Sequence, residues 1–186
     1  MNIPNRITIL RVLLIPLFVI AMLITKIPYN SIVAGIIFIA ACITDFFDGY
    51  LARKYNLVTN FGKFMDPLAD KLLVCSALIG FLAVENNPMP VWAVIIIISR
   101  EFIISGFRLV ASDNNVVIAA SNWGKVKTFV QMFMCILLIF NFRHPVILTI
   151  EWILIYLSVI LTIISLVDYI YKNKHVLQDD KSERNN

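Results

Sequence analysis

Apolar positions along the chain run in long blocks broken by short polar punctuation. Six blocks are readable, at about 7–25, 30–54, 61–84, 89–110, 124–141 and 146–171, and each approaches the ~20 residues that a bilayer core demands. The breaks fall at Ile27-Pro28-Tyr29-Asn30, Val58-Thr59-Asn60, Asn86-Asn87-Pro88-Met89-Pro90, Asp113-Asn114-Asn115 and Arg143-His144-Pro145, all turn and helix-start chemistries. Trp92, Trp123 and Trp152 stand near block ends, where amphipathic rings prefer the membrane interface. The pattern predicts an all-α integral membrane protein, a six-transmembrane-helix bundle.

Composition agrees. Of 186 residues 60% are hydrophobic, above the 45–50% of soluble domains. No polar linker divides the chain, so one domain over 1–171 is expected, with a polar tail over 172–186. Arg6 and Arg11 ahead of an apolar run resemble a signal peptide, but the Lys26-Ile27-Pro28 that follows offers no small-residue cleavage site. The run reads as a retained helix, with Asn5 as its N-cap rather than a nucleotide contact. Cys42, Cys75 and Cys135 lie in apolar stretches and suggest neither a disulfide framework nor a metal site.

Charge orients the bundle. Of 16 basic residues, only Lys26 and Arg143 fall at one end of the expected helices; the others gather at or towards the opposite end. The positive-inside rule then places both termini, the tail and the 2–3 and 4–5 connections in the cytoplasm. The net charge of +4 reflects this bias. No basic stripe stands apart from the membrane edge, so no nucleic-acid partner is expected.

Four acids interrupt the second and third blocks: Asp45, Asp48, Asp66 and Asp70. An acid at the centre of a membrane helix costs ~2.5–3.5 kcal/mol, less near its end, so something must offset four of them. Asp45 and Asp48 are spaced i,i+3, and Asp66 and Asp70 i,i+4, so each pair shares a helix face. A short connection makes the two helices antiparallel neighbours, and the pairs can meet at one depth. Converging carboxylates repel unless some are protonated or cations sit between them. Hard oxygen donors favour Mg²⁺ or Mn²⁺, and two such ions ~4 Å apart suit displacement at phosphorus.

Gly49, Ala52 and Arg53 fall on the same broad arc as Asp45 and Asp48, and Gly62 lies one turn before Asp66. Small residues there leave room for a ligand, and Arg53 suits a phosphate. Taken singly, each has a plainer reading: close helix packing for Gly49, Ala52 and Gly62, and a membrane-edge anchor for Arg53. An ion or proton relay through the acids is a further alternative, weakened by the scarcity of polar residues in the opposite halves of the helices.

Together, Asp45-x2-Asp48-Gly49-x2-Ala52-Arg53-x8-Gly62-x3-Asp66-x3-Asp70 resembles the full signature of the CDP-alcohol phosphotransferase family, all eight positions matching. The resemblance implies a six-helix membrane enzyme, homodimeric, that binds two divalent cations, Mg²⁺ or Mn²⁺. It implies that Asp45, Asp48, Asp66 and Asp70 hold metal, that Asp70 also serves as general base, and that Gly49, Ala52, Arg53 and Gly62 line the CDP site. The donor would be CDP-diacylglycerol, with its acyl chains among membrane lipids and its nucleotide facing the cytoplasm.

The signature does not name the acceptor. Ser99-Arg100-Glu101, Gly106-Phe107-Arg108, Gly124-Lys125-Val126-Lys127-Thr128 and the opening Asn2-Ile3-Pro4-Asn5-Arg6 resemble bacterial members that use glycerol 3-phosphate. This implies a bacterial cytoplasmic-membrane enzyme of phospholipid biosynthesis with its active site on the cytoplasmic side. Siblings using inositol phosphate, serine or phosphatidylglycerol remain alternatives. Arg100, Arg108 and Lys125 would form the acceptor-phosphate pocket. Lys125 and Lys127, two apart, cannot both face one site, and Lys125 is preferred because Gly124 and Thr128 flank its side. Arg108 and Lys127 read equally well as edge anchors. Glu101, two turns before Arg108, is placed either to orient it or to pair with Arg100's neighbours or another helix. His144 reads as surface.

Overall fold

A computed structural model describes residues 3–24, 29–54, 60–113, 118, 121–142 and 144–174; the side chains of 3–7, 45–54, 60–64, 66, 67, 70, 112 and 113 lie outside that description. The described residues form six helices and no strand: α1 (Ile3–Leu23), α2 (Asn30–Lys54), α3 (Asn60–Phe81), α4 (Val91–Asp113), α5 (Asn122–Phe140) and α6 (Pro145–Asn173). Most of the expected tail, 175–186, lies outside the described residues.

The helix ends differ from expectation for local reasons. α1 begins at Ile3, with Pro4 in its first turn, so Asn5 is inside the helix and is not its cap. α3 stops at Phe81 rather than near 84, because the chain turns through Leu82–Asn86 and Asn86 adopts a left-handed φ of 59°. The Asn87 amide then donates to the Leu138 carbonyl at 3.2 Å, and its oxygen accepts from Met89 N at 3.1 Å. α5 opens on a Ser121 cap, whose hydroxyl accepts from Gly124 N at 3.1 Å, and closes on left-handed Asn141. His144 is exposed and caps α6: its Nδ1 accepts from Val146 N at 3.4 Å, ahead of Pro145.

Named contacts give the directions. The end of α3 meets the end of α1, since a Cβ on Gly80 would collide with the Met22 side chain. Gly35, early in α2, faces the Phe140 ring at the end of α5. Lys71, midway along α3, bonds Ser105, in the second half of α4, and Phe18, late in α1, packs on Phe38, in the first half of α2. Trp92 and Tyr156 pair near the start of α4 and within the first half of α6, while Phe107 and Tyr169 pair towards the ends of both. Hence α1, α3 and α5 run one way and α2, α4 and α6 the other. The C-terminal end of α2 and the N-terminal ends of α3 and α5 share one end of the bundle.

The core lies along heptad-spaced stripes. In α1, Thr8, Arg11, Ile15, Phe18 and Met22 are buried, and Phe18 packs on Phe38 of α2 with ring centroids 5.4 Å apart. In α6, Glu151, Ile155, Ser158, Thr162, Ser165 and Tyr169 are buried. The outward faces are apolar too: Phe102, Phe129 and Val167 are each over 60% exposed. Polar seams inside and apolar rings outside invert the arrangement of a protein in water and suit a lipid solvent. By length and composition α5 and α6 can each cross a membrane, and Thr8–Leu23, Asn30–Thr44 and Lys71–Phe81 are shorter apolar stretches.

Candidate active site

The acid motif straddles two packed helices. Asp45, Asp48, Gly49, Ala52 and Arg53 lie in the last turns of α2, and Gly62, Asp66 and Asp70 in the first turns of α3. Both stretches are helical, so the i,i+3 and i,i+4 spacings hold each acid pair to one face. Their side chains lie outside the described residues. All four donors are carboxylate oxygens, a set suited to a hard divalent cation and not to a thiolate- or imidazole-preferring metal. Among the described residues no group of three or more His, Cys, Asp or Glu could hold a metal.

One residue past Asp70, a polar network begins. Lys71 Nζ donates to Ser105 Oγ on α4, and Ser105 Oγ donates to the Glu101 carbonyl at 2.5 Å. The Glu101 carboxylate accepts from Arg100 Nη1 at 3.1 Å and from Lys127 Nζ on α5. Arg100 Nε donates to Ser165 Oγ on α6 at 3.2 Å. Four helices therefore meet in this network: Arg100 and Lys127 share the Glu101 carboxylate, and Lys71 joins through Ser105. Among its described residues, three cations accompany one carboxylate.

The predicted acceptor residues divide. Arg100 is buried within the network. Gly124 abuts it: a Cβ there would lie 3.4 Å from Arg100 Nη2, so this glycine lets the start of α5 approach the guanidinium. Arg108 is exposed, with its guanidinium 5.9 Å from the centroid of the Tyr169 ring. Lys125 is exposed beside Gly124, whereas Lys127 turns into the bundle and is 1% exposed. Glu101 does not orient Arg108; it holds Arg100 and Lys127. Nor is Lys127 an edge anchor, since its ammonium is paired inside the bundle.

Sequence reasoning passed over several residues. Lys71 reads from the sequence only as a positive charge, and no motif marks Gln131. Together with Glu101, Lys127, Val74, Thr128 and Met132 they line a cleft between α3, α4 and α5. Arg11 and Thr8 are buried on α1, which packs against both acid-bearing helices. The signal was available: Lys127 is followed at i+4, i+7 and i+8 by Gln131, Met134 and Cys135, and Thr8 and Arg11 continue into Ile15 and Phe18, so polar residues occupy apolar stripes.

The family model for CDP-alcohol phosphatidyltransferase matches residues 1–164. This chain belongs to the CDP-alcohol phosphatidyltransferase family. Among its relatives, the chain is 43% identical to the CDP-diacylglycerol–glycerol-3-phosphate 3-phosphatidyltransferase of Bacillus subtilis, over 95% of this chain and 97% of that protein. It is 40% identical to the protein of the same name from Haemophilus influenzae, over 96% and 97% respectively. It is 38% identical to a probable phosphatidylglycerophosphate synthase of Mycobacterium tuberculosis, over 91% and 80%. Membership makes the chain a transferase of a membrane-enzyme family whose members generally use divalent metal ions.

Proposed function

We propose that this CDP-alcohol phosphatidyltransferase transfers the phosphatidyl group of CDP-diacylglycerol to glycerol 3-phosphate, giving phosphatidylglycerophosphate and CMP. The relatives' names support this acceptor. The structural observation that carries it is the gathering of three cations near Glu101: Arg100 and Lys127 on its carboxylate, and Lys71, directly after Asp70 on α3, lining the same cleft. A phosphate-bearing acceptor brought near four carboxylates is repelled unless cations compensate. A neutral acceptor such as serine's hydroxyl end would not need them.

In this reading Asp45, Asp48, Asp66 and Asp70 hold two Mg²⁺ or Mn²⁺ ions, which when bound neutralise the pyrophosphate and steady CMP as it leaves. Arg53 reaches a donor phosphate, and Gly49, Ala52 and Gly62 leave room for the nucleotide. Arg100, Arg108 and Lys125 attract and seat the acceptor phosphate, with Lys127 deeper in the same field. Asp70 takes the proton of the acceptor's primary hydroxyl. That oxygen attacks the β-phosphorus in line, its bond to phosphorus forms, and the bond from phosphorus to the CMP oxygen breaks.

All six helices cross the bacterial cytoplasmic membrane, and the polar site lies towards one end of the bundle. Both termini and the site face the cytoplasm, where CMP and glycerol 3-phosphate are soluble, and two copies form a homodimer. The deciding experiment is an acceptor screen with purified protein, CDP-diacylglycerol and Mg²⁺. CMP release stimulated by glycerol 3-phosphate, and not by serine, inositol phosphate or glycerol, is expected. Turnover with one of the others alone would keep the family and replace the acceptor.

A further inference from the structure

Gln131 is 3% exposed, and among the described residues its Nε2 has no hydrogen-bond partner. The next residues along its buried stripe, Met134, Cys135 and Leu138, are apolar. A buried amide with an unmet donor is costly and is rarely kept where an apolar side chain would pack. Its surroundings suggest what meets the demand. Gln131 lines the same cleft as Lys71, Val74, Glu101 and Lys127. It lies one turn beyond Lys127, roughly 6 Å further along α5. Lys71, directly after Asp70, lines the other side.

The chemistry of the cleft narrows the ligand. Lys71 and Lys127 already donate to Ser105 and Glu101, whereas the neutral Gln131 amide is a buried donor still to be met. The free volume, about 40 Å³, has room for a few water-sized groups. An uncharged hydroxyl-bearing carbon fits both limits. With its phosphate held nearer the start of α5, a three-carbon phosphomonoester reaches the depth of Gln131. Of its two hydroxyls, the attacking one must give up a proton, and a donor aimed at it would blunt its nucleophilicity. A donor aimed at the other hydroxyl would instead orient the molecule.

We propose that Gln131 is a specificity-determining residue whose side-chain amide donates a hydrogen bond to the secondary hydroxyl of glycerol 3-phosphate, turning the primary hydroxyl towards Asp70. This rests on glycerol 3-phosphate being the acceptor. The test compares it with 1,3-propanediol monophosphate, which lacks only the secondary hydroxyl, using full-length protein with CDP-diacylglycerol and Mg²⁺. The wild type is expected to prefer glycerol 3-phosphate in kcat/KM by about tenfold or more, because the analogue leaves the amide unmet. Gln131→Met keeps the volume and removes the donor. It is expected to raise the KM for glycerol 3-phosphate about tenfold while moving the analogue's by less than about twofold, so that the preference collapses. Equal losses with both acceptors, or an unchanged KM for glycerol 3-phosphate, would make Gln131 structural only. A wild type that uses the two acceptors equally overturns the inference without any variant. Turnover of glycerol 3-phosphate without discrimination defeats this inference alone, whereas no turnover with it defeats the proposed acceptor as well.

Discussion

The carboxylate of Glu101 on α4 is ion-paired with the ammonium of Lys127 on α5, and both side chains are largely buried. Arg100 bonds the same carboxylate oxygen and reaches Ser165 on α6, while Ser105 ties the Glu101 carbonyl to Lys71 on α3. The pair joins two consecutive helices, and its neighbours reach α3 and α6, at the point where the acceptor is expected. Its value is therefore partly structural and partly chemical.

Removing the carboxylate leaves buried cations facing one another, and breaking such a pair typically costs about 3–5 kcal/mol. Glu101→Ala is expected to lower the thermal midpoint in detergent markedly, and Lys127→Met to do so as well. The double variant should lose clearly less than the sum, because each single change leaves the other charge uncompensated. Strict additivity in a double-mutant cycle would mean that the two residues act independently.

Activity should require a divalent cation and each of the motif acids. Asp48→Asn or Asp66→Asn is expected to cut turnover by about 100-fold or more while thermal unfolding stays near wild type, since the change keeps the shape and removes the charge. Turnover that persists in EDTA would refute the two-metal reading.

The nucleotide site should be sensitive to bulk. Gly49→Leu and Ala52→Leu place a branched side chain on the arc shared with Asp45 and Asp48, and are expected to abolish CMP or CDP-diacylglycerol binding measured directly. Well-folded variants with unchanged binding would make both residues helix-packing contacts.

Acceptor and donor sites should separate kinetically. Charge-assisted hydrogen bonds contribute ~1.5–3 kcal/mol, so Arg108→Ala and Lys125→Ala are expected to raise the KM for glycerol 3-phosphate roughly 10–100-fold. The KM for CDP-diacylglycerol should barely move, because in the proposed site Arg53 and the metal ions would meet its charge. Loss of donor use with acceptor use intact would exchange the two sub-sites.

Reading order matters in such a chain. The six helices, the acid pairs and the eight-position signature are periodic or fixed-interval features, so they are visible in one dimension. Helix ends were less so: Asn5 resembles a cap, yet Pro4 starts the helix earlier, and α3 ends early because Asn86 and Asn87 turn and tie the chain to Leu138. Interval reasoning also showed that Lys125 and Lys127 diverge, but not which one faces inward. That depends on where α4 presents Glu101.

The sequence by itself determined the class of solvent, the number of helices, the family and the carboxylates available for metal. These follow from runs of apolar residues and from spacings within single helices, which need no knowledge of neighbours. Only the tertiary structure decided the partners. It placed Lys71, Arg100 and Lys127 around Glu101, put Gly124 against Arg100, and buried Gln131 beside Lys127. A cation's role at such a site is set by the charge it meets across a helix interface, and the rotations and depths that create that meeting come from packing among all six helices.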